Sequence, residues 1–361
     1  MHPNSFSSIR FRFLILGIIL GIPAYSQSND SLKIAQTVET YVSTNDFSGT
    51  ILVAKNGMPI YHQSFGYGYL PAKNAIVNDF HFSIASVTKL FTAIRVLQLV
   101  DVGKLSLDES IETYLPKFKI PQGSRITLHH LLMHNSGLPN EKDRVYRRPY
   151  SPEEIVHTSL KNKAKEDFGN FHYNNLDYIL LGLVIEAVSG ASWEEQIQTF
   201  ILDKLGMQET GFLAYGSYPS RFAYTYSYRN TKKPVQDALF YIENFYAAGS
   251  MYSTSKDLLL LDQALYGQAL LSEKMSDLLA KSYPENSYCG YSVWNYRYPF
   301  SDIKPLIMER RGGIMGANVV LVRMPEQSGS IIILSNDDRF NPDSFGDESN
   351  LRERLIRVLG G

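Results

Sequence analysis

A serine and a lysine stand three residues apart in the segment Phe82-Ser83-Ile84-Ala85-Ser86-Val87-Thr88-Lys89-Leu90, at the start of a long apolar run. If this run is helical, Ser86 and Lys89 lie on one face, with Cβ atoms about 5–6 Å apart. A serine hydroxyl becomes a strong nucleophile when a base takes its proton, and a desolvated lysine can be that base. The alternative is a helix cap in which Ser83 or Ser86 binds backbone N–H groups and Lys89 points to solvent.

Two further segments contain groups that a serine–lysine pair would need. In Tyr173-Asn174-Asn175, a phenol beside a cationic lysine could pass a proton, and an amide could orient a substrate carbonyl. The alternative is a turn in which Asn174 and Asn175 take left-handed backbone conformations. The glycines Gly312 and Gly313 permit close approach of a ligand to a strand edge, where their N–H groups could face an acyl oxygen. The alternative there is a bulge or a tight turn.

The elements that must position these residues follow from apolar spacing. A period of 3.6 predicts helices near residues 31–42, 87–100, 105–115, 126–134, 152–160, 178–188, 193–205, 253–265 and 347–359. β-rich runs predict strands at 49–55, 58–65, 288–296, 308–311, 318–323 and 330–335, and Asn56-Gly57 predicts a hairpin turn. Strands at both ends of the chain favour one antiparallel sheet flanked by terminal helices, with a mainly helical block inserted. The predicted class is therefore α/β of the α+β type, with a sheet part at about 27–80 plus 245–361 and a helical part at about 86–240.

The order and spacing of these motifs match a known group of enzymes. The chain resembles the serine β-lactamase and penicillin-binding-protein superfamily, particularly the class C-like branch with D,D-carboxypeptidases, D-aminopeptidases and esterases. Ser86 and Lys89 match its Ser-x-x-Lys motif, and Tyr173 and Asn175 match its Tyr-x-Asn motif. Similarity covers roughly residues 30–335 and includes two supporting segments, 126–139 and 248–254. The resemblance implies a β-lactamase-like fold whose specificity depends on loops, here expected at 140–165, 210–246 and 283–305.

The third motif of the superfamily, Lys or His followed by one residue and Gly, falls on Arg310-Arg311-Gly312. Family members use the Lys or His to bind a substrate carboxylate or to share a proton. Arginine can bind a carboxylate through two charge-assisted hydrogen bonds, but it stays protonated and cannot shuttle a proton. The carboxylate-binding role is therefore expected of Arg310. An alignment shifted by one residue would put Arg311 in the site instead.

The resulting hypothesis is a serine hydrolase that acts on an amide, β-lactam, D-amino-acid peptide or ester carbonyl through an acyl-enzyme. Catalysis is assigned to Ser86, Lys89 and Tyr173, and substrate binding to Asn175, Arg310, Gly312 and Gly313. The backbone N–H groups of Ser86 and Gly313 would form the oxyanion hole. The expected partner is a small-molecule or peptide substrate, cell-wall material included, and no cofactor is required.

Parts of the sequence also fit two other functional classes. The replacement at Arg310 motivates a non-catalytic penicillin-binding or sensor protein that retains the fold. His130 and His134 stand at the i, i+4 spacing of a zinc helix and motivate a metallohydrolase, but Leu131 occupies the position of the metalloprotease glutamate. No metal site is therefore predicted.

The first 26 residues have the pattern of a secretory signal peptide. Arg10 and Arg12 precede the ten-residue apolar run 13–22, and Ala24-Tyr25-Ser26 supplies a cleavage site before Gln27. Removal of 1–26 leaves 33 basic and 36 acidic residues, so the net charge moves from −1 to −3. A near-neutral chain has no general electrostatic attraction to nucleic acid or acidic membranes. The expectations are a mature domain 27–361, a periplasmic or secreted location and no stable membrane anchor.

Overall fold

The computed structural model of the chain describes residues 29–164, 167–228 and 233–361, so the predicted signal peptide lies outside the described residues. The helices are α1 (Asn29–Asn45), α2 (Thr88–Asp101), α3 (Ile111–Tyr114), α4 (Leu128–Leu132), α5 (Pro152–Ser159), α6 (Asn175–Ser189), α7 (Trp193–Ile197), α8 (Asp203–Leu205), α9 (Ser255–Tyr266), α10 (Glu273–Ala280) and α11 (Leu351–Gly360). The strands are β1 (Gly49–Lys55), β2 (Met58–Phe65), β3 (Tyr67–Tyr69), β4 (Asn74–Ala75), β5 (Phe82–Ser83), β6 (Gly211–Phe212), β7 (Tyr226–Ser227), β8 (Val235–Gln236), β9 (Met251–Ser253), β10 (Trp294–Arg297), β11 (Leu306–Ile314), β12 (Ala317–Met324) and β13 (Gly329–Ser335).

The main sheet combines strands from both ends of the chain, in the order β10-β11-β12-β13-β1-β2. Each neighbouring pair is antiparallel. The hairpin between β1 and β2 turns at Asn56 and Gly57, whose φ values of +53° and +73° are those that the Asn-Gly turn requires. The prediction of one antiparallel sheet built from the two ends of the chain is confirmed.

Successive side chains along each strand point to opposite faces of the sheet, so the core is divided between the two faces. Ile51, Val53 and Ile333 pack with the terminal helices α1 and α11. Leu52 and Leu334 point the other way and join a larger apolar cluster with α2, α6 and α9. The sheet is thus a middle layer, with terminal helices behind it and the helical block in front. This arrangement confirms the predicted β-lactamase-like class.

Several predicted boundaries are wrong. The segment 105–115 is helical only at α3. The strand expected at 288–296 is confined to β10, and the helix α10 was not predicted. Apolar residues such as Leu105 and Leu115 are buried although they lie outside a helix. Burial by tertiary packing therefore produced helical spacing without helical backbone.

Among the described helices, no single one is long and apolar enough to cross a membrane, although the bent pair 175–189 and 193–205 has the necessary length and composition. The helix α6 of this pair is largely buried.

Candidate active site

The turn that carries Ser86 is held by backbone pairing on its N-terminal side. Strand β5 pairs with β9, and the Ile84 N–H donates to the Met251 carbonyl at 3.0 Å. Ala85 then adopts a left-handed conformation with φ +46°, which is strained for a residue with a side chain. Ser86 follows in a short 3₁₀ turn that continues into α2. The serine residue is half-buried at this junction.

Lys89 is fully buried and its ammonium nitrogen lies among three oxygen atoms. Nζ is 3.0 Å from Ser86 Oγ, 2.7 Å from Asn175 Oδ1 and 2.7 Å from the carbonyl oxygen of Ala248. Burial, partly offset by Tyr173, lowers the pKa of Lys89 to about 8. Lys89 and Ser86 therefore lie within hydrogen-bond distance, as predicted. A pKa of about 8 leaves a fraction of Lys89 unprotonated near neutral pH.

Tyr173 stands in the loop before α6, where its phenol oxygen accepts a hydrogen bond of 2.6 Å from Arg310 Nη2. Burial raises the pKa of Tyr173, but the positive charges of Arg310 and Lys89 outweigh burial, so the net pKa is lowered from its usual value. The Lys89 ammonium lies 5.0 Å from the centre of the Tyr173 ring. Tyr173 and Lys89 thus form a coupled pair beside the serine.

The left-handed turn that was the alternative at Asn174 and Asn175 is not present. Asn174 has extended dihedral angles and caps α6, accepting from the Leu176 N–H at 2.9 Å. Asn175 begins the helix, which directs its amide into the site. There its Oδ1 accepts from Lys89 and its Nδ2 donates to Glu141 Oε1 at 2.7 Å.

The segment 126–139, which contains His130 and His134, supports the Tyr173 loop. The His172 N–H donates to the His134 carbonyl at 2.8 Å, and the Asn174 N–H donates to His134 Nδ1 at 3.2 Å. His134 is fully buried, and its burial keeps the pKa of the imidazole well below its usual value. His130 instead bonds the backbone of Thr127 at the start of α4. Among the described residues, no group of three or more His, Cys, Asp and Glu side chains is placed to hold a metal ion.

Arg310 lies in the site but is not presented to an incoming anion. It is 1% exposed, and each guanidinium nitrogen donates to a protein oxygen. Nε bonds the Ser86 carbonyl at 2.7 Å, Nη1 bonds the Ser292 carbonyl at 2.8 Å, and Nη2 bonds Tyr173. These contacts do not support the expected carboxylate-binding role. Arg311 contacts Glu309 and Asp343 instead of these residues, so the alternative alignment finds no support either.

The glycines of β11 bring the strand against the serine turn. A Cβ atom at Gly312 would lie 2.6 Å from the Ile84 carbonyl oxygen and 3.0 Å from the Ser86 nitrogen. Only glycine therefore permits this approach of the two backbones. The next residue, Gly313, is exposed, and the closest atom to a Cβ there would be Asn318 Oδ1 at 3.2 Å. The spacing suits an oxyanion hole that uses the N–H groups of Ser86 and Gly313.

Sequence reasoning missed several groups that the fold brings to the site. Glu141 accepts from Asn175 and also from the Tyr146 hydroxyl at 2.6 Å. The Ser292 carbonyl holds Arg310, and Phe245 stacks on Tyr146 with ring centroids 4.0 Å apart. Each of the three loop regions expected to set specificity contributes at least one of these residues. No local pattern indicated them, because each acts through a partner that is distant in sequence.

The profile of the Beta-lactamase family matches residues 34–356. The chain belongs to the beta-lactamase family. Penicillin-binding protein 4* of Bacillus subtilis (strain 168) is 28% identical over 328 residues, which cover 83% of this chain and 70% of the relative. Teichoic acid D-alanine hydrolase of Staphylococcus aureus (strain MRSA252) is 29% identical over 287 residues, or 77% of this chain and 68% of the relative.

A solved structure shares the fold over almost its whole length. The D-amino acid amidase from Ochrobactrum anthropi SV3 superposes with a TM-score of 0.76 at 24% identity, covering 92% of this chain and 98% of that one. Membership of the beta-lactamase family makes the chain a serine hydrolase of the beta-lactamase fold.

Proposed function

We propose that the chain is an exported hydrolase that cleaves an amide, lactam, D-amino-acid peptide or ester bond through an acyl-enzyme on Ser86. The observation that carries the proposal is the 3.0 Å contact between Lys89 Nζ and Ser86 Oγ. A nucleophile within hydrogen-bond reach of its base, with the base oriented by further groups, is the arrangement that serine acyl transfer needs. Asn175 and the Ala248 carbonyl are the orienting groups here.

The contacts of Lys89 suit a neutral amine that serves as the base. A neutral amine has two N–H groups, which match the Asn175 and Ala248 oxygens, and its lone pair then faces the Ser86 hydroxyl. Tyr173 provides a second acceptor, since Arg310 and Lys89 stabilise its phenolate. The base is therefore best described as the Lys89–Tyr173 pair with one proton removed.

Acylation and deacylation use the same groups in turn. Ser86 Oγ attacks the carbonyl carbon while its proton passes to the Lys89–Tyr173 pair. The tetrahedral oxyanion accepts hydrogen bonds from the N–H groups of Ser86 and Gly313. Collapse breaks the bond to the leaving group, which takes the proton from the pair. Water then attacks the ester of the acyl-enzyme by the same steps, which releases the carboxylic acid and restores free Ser86.

The relatives support a substrate that carries a D-amino acid. The Staphylococcus aureus relative is named for hydrolysis of D-alanine from teichoic acid, and the Bacillus subtilis relative is named as a penicillin-binding protein. Export is supported by the sequence of residues 1–26.

Intact-mass spectrometry can test the reaction and the export together. The full chain would be expressed in a bacterium with a periplasm, recovered from that compartment and treated with a fluorescent penicillin or a fluorophosphonate. We expect a chain that begins at Gln27, with one covalent adduct that peptide mapping locates at Ser86. Ser86→Ala should lose the adduct, whereas Ser220→Ala, a change at an exposed serine, should label like the parent.

Two results would contradict the proposal. Equal labelling of the parent and Ser86→Ala would exclude Ser86 as the nucleophile. An adduct on Ser86 that is never released from any ester, lactam or peptide substrate would favour a non-catalytic binding protein.

A further inference from the structure

A second cavity, of about 240 Å³, lies between the helices α9 and α10 and the strands β11 and β12. Met308, near the start of β11, lines this cavity, whereas Gly312 and Gly313, near the end of the same strand, belong to the candidate active site. Because a strand rises about 3.3 Å per residue, the two places are about 16 Å apart along β11. The cavity is therefore separate from the site of Ser86.

The cavity contains a buried arginine that lacks a counter-ion in direct contact. Arg323 of β12 lines it and is only 6% exposed. Its guanidinium carbon lies 3.6 Å from the centre of the Tyr266 ring, and its Nε is buried without a hydrogen-bond partner among the described residues. No ion pair within the described ranges includes Arg323. Since buried donors are nearly always paired, an acceptor such as a carboxylate is expected in the cavity.

The carboxylates around the cavity outnumber this one cation. Asp277 of α10 lines the cavity, is exposed, and forms no ion pair with any described residue. Asp262 of α9 is buried, and its burial raises the pKa of the carboxyl to about 6, although the charge of Arg323 acts in the opposite direction. Two carboxylates thus surround one guanidinium at pH 7. A purely anionic ligand would add to this excess of negative charge, so the complementary ligand carries a cationic group as well.

The remaining wall of the cavity is largely apolar. Leu265 of α9, Leu279 of α10 and Met308 of β11 line it. Such a wall can bury an apolar group of a ligand, while a few polar groups fix its orientation. The cavity therefore combines a donor for a carboxylate, an acceptor for a cation and an apolar surface.

We infer that this cavity binds a free α-amino acid with an apolar side chain. The carboxylate of the ligand accepts hydrogen bonds from Arg323, and its ammonium group donates to Asp277. Its side chain contacts the apolar wall of Leu265, Leu279 and Met308. The inference does not depend on the proposed function, because none of these residues belongs to the candidate active site.

The test compares ligands that differ in one charged group. Isothermal titration calorimetry would measure binding of D- and L-leucine to the parent chain. 4-Methylpentanoate lacks the ammonium group, and leucinol has a neutral hydroxymethyl group in place of the carboxylate. We expect the preferred enantiomer of leucine to bind, and each of these two analogues to bind at least about tenfold more weakly, since each loses one charge-assisted hydrogen bond.

Variants of the cavity locate the bound leucine. Arg323→Met should weaken leucine binding about tenfold or more, because it removes the donor for the carboxylate. Asp277→Asn should weaken it about three- to fivefold, since Asp277 is exposed to solvent. Glu273→Gln removes the same charge from an exposed position on the same helix outside the cavity and should leave binding unchanged. Circular dichroism would check folding, and Asp277→Asn decides the result if Arg323→Met does not fold.

Three results would overturn the inference. Absence of leucine binding to the parent chain would refute it directly. Binding of 4-methylpentanoate as tight as that of leucine would show a site for anions only. Leucine binding that is unchanged in Asp277→Asn, or weakened equally in Glu273→Gln, would show that the amino acid is not held by this cavity. Labelling of Ser86 is measured separately, so the proposed function stands or falls independently of these results.

Discussion

At the scale of single residues, Arg310 influences the pKa values of the two groups that act as the base of the site. Its guanidinium donates to Tyr173, and its charge lowers the pKa of both Tyr173 and Lys89. Lysine or histidine could lose a proton to this pair, whereas arginine remains charged at all accessible pH values. Arg310 is therefore best understood as a positioning residue that keeps the Lys89–Tyr173 pair ready to accept a proton.

The pH dependence of kcat/KM tests this role. The parent should gain activity as pH rises through about 8, because the pKa of Lys89 is about 8 and the base must lose its proton. Arg310→Met removes a charge that lowers the pKa values of Lys89 and Tyr173, so the rise of kcat/KM with pH should occur at higher pH. The activity at pH 7 should then fall about 10²-fold. Arg310→Lys retains the positive charge, so it should shift the pH at which kcat/KM rises by less than Arg310→Met does.

Stopped assays with p-nitrophenyl acetate between pH 6 and 10 would provide these profiles, and circular dichroism would check that both variants fold. An equal fall in activity at every pH, without a shift in the pH at which kcat/KM rises, would argue that Arg310 only supports the structure.

At the scale of elements, the site forms where β11 meets the turn before α2. The small sheet β5-β9-β6 fixes that turn, and the segment leading into β9 supplies the Ala248 carbonyl for Lys89. Gly312 then allows β11 to approach the Ser86 nitrogen. The two proposed oxyanion donors thus come from elements that are adjacent only because one side chain is missing.

Alanine substitutions at the two glycines should have different effects. Gly312→Ala places a Cβ 2.6 Å from the Ile84 carbonyl, so β11 must move away and the oxyanion hole must widen. We expect kcat to fall about 10²–10³-fold, as for loss of an oxyanion donor. A Cβ at Gly313 would meet Asn318 Oδ1 at 3.2 Å and the Ala317 carbonyl oxygen at 3.9 Å, so Gly313→Ala should reduce kcat at least tenfold less than Gly312→Ala does. Steady-state kinetics on one ester would decide, and similar losses for both variants would contradict the proposed contact.

At the scale of the whole molecule, the C-terminal helix is attached to the reverse side of the catalytic strand. Arg352 of α11 donates through Nε to Glu309 Oε2 at 2.9 Å, and it also contacts Glu353. Arg352, Glu309 and Glu353 are almost completely buried. Glu309 precedes Arg310 on β11, and Arg311 pairs with Glu309 from the same strand. The last helix therefore stabilises the strand that presents the third motif.

Removal of this buried cation should destabilise the fold strongly. Arg352→Met leaves two carboxylates buried beside an apolar side chain, so the free energy of unfolding should fall by about 3–5 kcal/mol. Arg357→Met, a change on the same helix that breaks the partly exposed pair with Glu348, should reduce the free energy of unfolding much less. Urea denaturation followed by tryptophan fluorescence would measure both, and equal losses would show that the buried network contributes no special stability.

Much of this architecture follows from the sequence alone. The Asn56-Gly57 turn, the strands from both ends of the chain and the spacing of Ser86 and Lys89 depend on local chemistry, which periodicity and turn preferences reflect directly. The superfamily was also recognisable, because its motifs are short and local. These features involve residues that are neighbours in sequence or share one element.

The tertiary structure alone decided which groups of the site contact one another. Lys89 finds its other partners 86 and 159 residues away, and Arg310 finds Tyr173 137 residues away. Such contacts depend on how separate elements pack, which local patterns do not encode. For this reason the sequence predicted a cation free to bind a carboxylate at Arg310, whereas the folded chain uses that cation internally and leaves an unpaired carboxylate oxygen at Glu141.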